Sequence, residues 1–157
     1  MINELNEAKA LVNKYLEDGI KCPCCGQLCK MYKRTLNAQM ARALIWLVFK
    51  FEKEKRWYNI NEFPLIQGRH GGGDFAKLSF WDLINEKKKD NTDGDKRTSG
   101  FWMPSQLGIS FVNQESRVPR QVYLFDNKVY GWSYDTITIR DALGNKFSYH
   151  ELMAGIF

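Results

Sequence analysis

At 157 residues with 44% hydrophobic side chains, the chain is long and apolar enough to bury a core, as one domain or one domain with small appendages. Its net charge of +5 and pI near 9.0 are a modest basic excess, which suits a nucleic-acid partner without demanding one. No apolar run approaches the roughly 18 residues of a membrane span, and the acidic start Met1-Ile-Asn-Glu lacks a signal-peptide core, so a cytoplasmic protein with no membrane partner is expected.

Asn3 to Asp18 is predicted as an amphipathic helix. Leu5, Ala8, Val12, Tyr15 and Leu16 share one face, while Glu4, Glu7, Lys14 and Glu17 fall elsewhere. Such a helix packs on the body of the protein or on a second copy, so a homodimer is open. Gly19 is a natural C-terminal stop. All four cysteines then fall between Cys22 and Cys29. Disulfides that staple a fold join distant segments, so this crowding points to metal. Two residues between Cys22 and Cys25 let both sulfurs reach one tetrahedral ion at about 2.3 Å. Pro23 sets the first turn, and Gly26 permits the tight return in which amides point at sulfur. Cys22-Pro-x-Cys25-Gly26 resembles the zinc knuckle of ribbons and treble clefs. The resemblance implies a structural zinc on Cys22 and Cys25, with Cys29 as the third candidate ligand. The fourth is open among Cys24, His70, His150 and a residue of another subunit. A catalytic metal needs an open position and a general base, and no His-Glu-x-x-His pattern supplies them.

Met31 to Thr35 is predicted as a short strand, with Thr35 or Asn37 capping the next helix. That helix, Ala38 to about Lys55, is the most apolar of the chain. Met40, Leu44, Leu47, Val48 and Phe51 form one face, Ala41, Ile45 and Phe49 widen it, and Arg42, Lys50 and Lys53 leave a narrow wet strip. It is the predicted central core helix. Trp57 to Ile60 is a short strand candidate. Asn61 is predicted to cap a short helix with Pro64 in its first turn. Gly68 to Gly73 reads as a turn, and neither G-x-G-x-x-G after a strand nor a Walker lysine accompanies its glycines, so a nucleotide site is not expected.

The next stretch organises the whole chain. Asp74 is predicted as the N-cap of a helix in which Phe75, Leu78 and Trp81 recur at a spacing of three. Leu83 to Glu86 extends, Lys87 to Arg97 is too polar to bury and carries the turn dipeptide Asp93-Gly94, and Phe101-Trp102 returns as a strand. Met103-Pro104 is predicted to open a further helix. Beyond Val112, Gln121 to Phe125 and Lys128 to Trp132 form a predicted hairpin about Asp126-Asn127, and Thr136 to Ile139 alternates as a strand does. Arg140 to Leu143 makes one helical turn at most. Ser148 caps a last helix, Tyr149 to Ala154, with Glu151 at its third position.

This order resembles the winged-helix class of helix-turn-helix domains over Thr35 to Val112. Lys77-Leu78-Ser79-Phe80-Trp81 matches the recognition helix and Lys87 to Arg97 the wing. Phe101-Trp102-Met103-Pro104-Ser105-Gln106-Leu107-Gly108 resembles the strand and helix start that follow the wing in many bacterial repressors, with Met103 in place of the usual Thr. The expected fold is therefore α+β: an N-terminal helix over 1–19, a zinc knuckle over 20–34, a winged helix-turn-helix over 35–116, and a β-hairpin plus C-terminal helix appendage over 117–157. Cys22-Pro-x-Cys25-Gly26, Ala41-Arg42-Ala43-Leu44-Ile45-Trp46, Ala76-Lys77-Leu78 and Ile139-Arg140-Asp141-Ala142-Leu143-Gly144 also resemble small uncharacterised proteins of bacteriophages and prophages, which implies a host cytoplasm as the setting.

The resemblance implies a protein that binds double-stranded DNA, as a transcriptional regulator or architectural factor. Lys77 would lie on the recognition helix, Arg69 and His70 before it, and Lys87, Lys88, Lys89, Lys96 and Arg97 on the wing. The alternative is a protein-binding adaptor or inhibitor of a host or defence factor, because exposed aromatics suit interfaces. An enzyme is not expected: no acidic or nucleophile motif assembles around the two histidines.

Overall fold

The computed structural model describes residues 2–63, 71–89 and 99–157. In chain order it runs α1 (Ile2–Lys14), β1 (Ile20–Lys21), β2 (Leu28–Cys29), β3 (Tyr32–Thr35) and α2 (Ala38–Lys53). There follow β4 (Tyr58–Asn59), a 3-10 turn (Ile60–Glu62), α3 (Gly71–Ala76) continuing as a 3-10 helix (Lys77–Trp81), β5 (Ile84–Glu86), β6 (Phe101–Pro104) and α4 (Gln106–Val112). The last part is β7 (Val118–Pro119), β8 (Gln121–Phe125), β9 (Lys128–Trp132), β10 (Thr136–Ile137), α5 (Ile139–Leu143) and α6 (Tyr149–Met153). The protein is thus mixed α+β, in two compact units. No helix among the described residues is long and apolar enough to cross a membrane.

The first unit comprises residues 1–35 and 121–134. β1 and β2 form a two-stranded ribbon, and β3, β8 and β9 form an antiparallel sheet with β8 in the middle. The β8–β9 hairpin turns on Asp126 and Asn127, both at positive φ (52° and 57°), which short polar side chains tolerate. Val122 and Leu124 are buried on one face of the sheet, and their neighbours Tyr123 and Phe125 are half-buried on the other. Residues 4–14 of α1 bury no side chain fully; Leu16, just past the helix, is the buried anchor, and its carbonyl accepts the Met31 amide at 2.8 Å. The apolar face predicted for this helix is therefore only partly covered, with Leu5 51% and Tyr15 40% exposed.

The second unit comprises residues 36–120 and 135–157 and is built around α2. Asn37 Oδ1 accepts the Met40 amide at 2.9 Å and starts the helix, and the run from Ala43 to Val48 is buried all round. A helix apolar on every side needs neighbours on every side. α3, α4, α5, α6 and β6 supply them. Trp46 meets Phe63 at 5.1 Å and Tyr58 edge-on at 6.1 Å between ring centroids. Arg42, expected on the wet strip, is half-buried with its guanidinium 4.3 Å from the centre of the Phe147 ring. Burial among these rings lowers its pKa from the usual arginine value.

Three local expectations are corrected here. The short turn after β4 is capped by Asn59 rather than Asn61, in a reciprocal capping box with Glu62. α3 begins at Gly71, so Asp74 lies inside its first turn rather than capping it. Pro104 ends strand β6 opposite Ile84, and Ser105, whose Oγ accepts the Gly108 amide at 3.0 Å, starts α4. The residue before a proline is biased toward extended backbone, which keeps Met103 in the strand. The segment 117–157, expected as one appendage, is divided: β8 pairs with β3 in the first unit, while α5 and α6 pack on α2 in the second.

Candidate metal centre and nucleic-acid surface

The cysteines sit on a knuckle made by the β1–β2 ribbon. Ile20 faces Cys29 and Lys21 faces Leu28. The Cys22 amide donates to the Gln27 carbonyl at 2.7 Å, and the Gly26 amide donates to the Cys22 carbonyl at 2.9 Å. Gly26 has φ +76° with open space where a side chain would stand, so backbone conformation alone calls for glycine. The tight return aims the Cys24 amide at Cys22 Sγ, 3.4 Å away. Amides directed at sulfur stabilise the thiolate, and those of Cys24 and Cys25 hold the Cys22 pKa below the ordinary thiol value. Cys29 is pushed the other way, by desolvation first and then by the charges of Cys22 and Cys25.

These thiols are the right chemistry for zinc, and the amide-to-sulfur contact fits a metal-binding knuckle. Cys22, Cys25 and Cys29 are close enough to perturb one another, and Cys24 stands in the same turn. Yet no group of three or more His, Cys, Asp or Glu among the described residues is already arranged to hold an ion. Of the candidates for a fourth ligand, His70 lies outside the described residues. His150 belongs to α6 in the other unit, its Nε2 3.2 Å from the Arg140 guanidinium.

In the second unit, β6 lies between β4 and β5, paired antiparallel with both. α3 and its 3-10 continuation precede β5. Phe75, Leu78 and Trp81 are all buried. Their spacing of three matches a helix with three residues per turn, and this is why the stretch tightens from α to 3-10 geometry. Trp81 Nε1 donates to the Pro119 carbonyl at 2.8 Å, and Asp82 in left-handed conformation (φ 59°) ends the helix. Lys77, the cation proposed for this helix, has its Nζ 3.0 Å from Asp74 Oδ1. Lys87, Lys88 and Lys89 are exposed as the chain leaves β5. The Lys87 amide still donates to the Phe101 carbonyl at 2.9 Å, and its Nζ lies 5.7 Å from the centre of the Phe101 ring. Arg69, His70, Lys96 and Arg97 lie outside the described residues.

Ser99 and Glu86 carry a role that sequence patterning missed. The Ser99 amide donates to Glu86 Oε1 at 3.0 Å, and its hydroxyl donates to the Lys87 carbonyl at 2.6 Å. Together they tie the returning chain to the strand from which the three lysines leave. A lone Ser beside a polar run carries no pattern that would have revealed this. Compared with family models, curated proteins and solved structures, the chain matches none.

Proposed function

We propose that this protein binds double-stranded DNA through its second unit, acting as a winged helix, and that zinc on the knuckle cysteines braces its first unit. The observation that carries the DNA proposal is the exposed run Lys87–Lys89 leaving β5. It stands in a helix, strand, helix, strand, strand, helix order with β6 between β4 and β5. That order is compatible with the winged-helix class, in which the tip between the last two strands contacts phosphate or minor groove.

Base reading is not the strength of this surface. Lys77 is engaged by Asp74, and no Arg, Asn or Gln stands between Asp74 and Trp81 to make bidentate base contacts. Affinity should therefore come mainly from phosphate contacts. Zinc, when bound, would supply four-coordinate cross-linking of the knuckle through Cys22, Cys25 and Cys29 plus a further donor. The Cys24 and Cys25 amides would keep the Cys22 sulfur in the thiolate form that metal requires.

The test is titration with a mixed-sequence duplex at about 50 and 200 mM salt. DNA binding through several phosphates weakens by orders of magnitude between the two. Replacing Lys87, Lys88, Lys89, Lys96 and Arg97 with Ala should lower affinity about uniformly across sequences and flatten the salt slope. Affinity and slope unchanged in that variant would remove the tip from the proposal. The engaged Lys77 favours a second reading, an adaptor that binds protein. Its signature is no duplex binding at low salt and a partner interface that is insensitive to salt.

A further inference from the structure

The sheet of the first unit buries the centre of one face and leaves the other half-buried. Val122 and Leu124, on the first face, are buried. The register puts Lys33, Tyr123 and Gly131 in one row across the other face, with Phe125 opposite Lys128 further along it. Gly131 leaves room for an aromatic ring: a Cβ there would stand 3.6 Å from Tyr123 Cδ2, so the ring lies over the glycine. Lys33 Nζ is 5.5 Å from the ring centre. Phe125 also lines a cleft of about 440 Å³, whose other walls include Lys9 and Asn13 of α1 and Pro23 of the knuckle.

The knuckle and β3 that border this face are basic, while α1, which walls the cleft, carries Glu4 and Glu7 beside Lys9. From Ile20 to Thr35 the chain carries Lys21, Lys30, Lys33 and Arg34 and no acidic residue. Lys33, Lys128 and Lys9 are exposed. The acidic residue of the β8–β9 hairpin is Asp126, in its turn. Aromatic rings on a sheet, bordered by cations, match the chemistry of an unpaired nucleotide strand: bases stack on rings while phosphates meet ammonium groups. Duplex DNA keeps its bases stacked on each other and offers no free face to such rings.

We propose that the Tyr123 face of the β3–β8–β9 sheet binds single-stranded nucleic acid. Bases stack on Tyr123 and in the Phe125 cleft, and phosphates are held by Lys33, Lys128 and Lys9. This site is separate from the lysines after β5, and the two proposals fail separately because duplex and single strand are measured apart.

The experiment is fluorescence anisotropy of the full chain with fluorescein-labelled oligo(dT) and oligo(U) of about 12 nucleotides, at about 50 mM salt. The wild-type protein is expected to bind at least one of them, and their ratio assigns the sugar preference. Tyr123→Ala should weaken single-strand binding about tenfold or more, leaving binding of a duplex of equal length unchanged. Tyr123→Phe keeps the ring and should keep the affinity. Lys33→Ala combined with Lys128→Ala should weaken binding and flatten its salt dependence. Failure of the wild type to bind either oligonucleotide overturns the proposal, as does wild-type affinity in Tyr123→Ala. Should circular dichroism show that Tyr123→Ala is unfolded, the double lysine variant decides alone, and wild-type affinity there overturns the proposal.

Discussion

Gly108 shows how one residue sets the joint between α4 and the start of β5. It lies in α4, where alanine would ordinarily gain up to about 1 kcal/mol in helix propensity. A Cβ at this position would press directly on the Leu83 carbonyl oxygen, just before β5. That carbonyl accepts the Ser105 amide at 3.0 Å, so it has no freedom to move away. Gly108→Ala should therefore destabilise by about 1–3 kcal/mol, against the sign of propensity, and urea unfolding would read the difference. Glu62 makes a second argument at this scale. Arg56 reaches both its carboxylate oxygens, at 2.8 and 3.3 Å, and the Asn59 amide donates to Oε2 at 2.9 Å. The Arg56 hydrogen bonds first, and the Asn59 amide with them, hold the Glu62 pKa below the usual carboxylate value. A carboxylate whose pKa is lowered by folding adds stability above its unfolded pKa and loses it as pH falls through the folded one. Glu62→Gln should thus be less stable than wild type at neutral pH, with the gap closing in the acid range. Both partners are about 40% exposed, so added salt should narrow the gap too. A gap that stays constant with pH would assign the effect to capping geometry rather than charge.

Elements differ in how much their own residues announce them. α2 was legible because its apolar positions cover all but a narrow strip and Asn37 stands before it; the β8–β9 hairpin was legible because Asp126-Asn127 separates two alternating runs. Ser148 was legible as a cap, its Oγ accepting the Glu151 amide at 3.3 Å. The start of α3 was not, because Gly71-Gly-Gly reads locally as a turn while packing of Phe75, Leu78 and Trp81 draws the helix back over it. Pro104 misled for a related reason: proline suits both a helix start and a strand end, and the pairing with Ile84 decided. The pairing of β3 with β8, which brings part of the tail into the first unit, was not legible, since it joins residues far apart in the chain. Two strands of two residues each cannot hold the β1–β2 ribbon alone, because an isolated hairpin is at best marginal. Cross-linking through the cysteines would supply what the ribbon lacks. Cys22→Ser with Cys25→Ser should therefore release zinc from protein purified with zinc present and lower its melting temperature. Wild-type protein found free of zinc by elemental analysis would reduce the knuckle to a hairpin with free thiols.

At the scale of the whole molecule, stability is unevenly spread between the two units. The second unit surrounds a helix whose residues Leu44, Ile45 and Leu47 are completely buried, and Tyr58 ties the end of that helix by placing its hydroxyl 2.8 Å from the Lys50 carbonyl and 2.5 Å from that of Glu54. Among the described residues, the first unit holds only Leu16, Met31, Val122 and Leu124 as buried apolar side chains. Amides in α2 should then exchange only through global unfolding, while those in α1 open locally at little free energy. Hydrogen exchange followed by mass spectrometry is expected to rank Leu44–Val48 slowest and residues 4–14 fastest among the helices. Slow exchange throughout α1 would contradict the partial cover of its Leu5, Leu11 and Tyr15 face. If that protection also rose with protein concentration, the cover would be a second copy of the chain, since only an intermolecular contact responds to concentration.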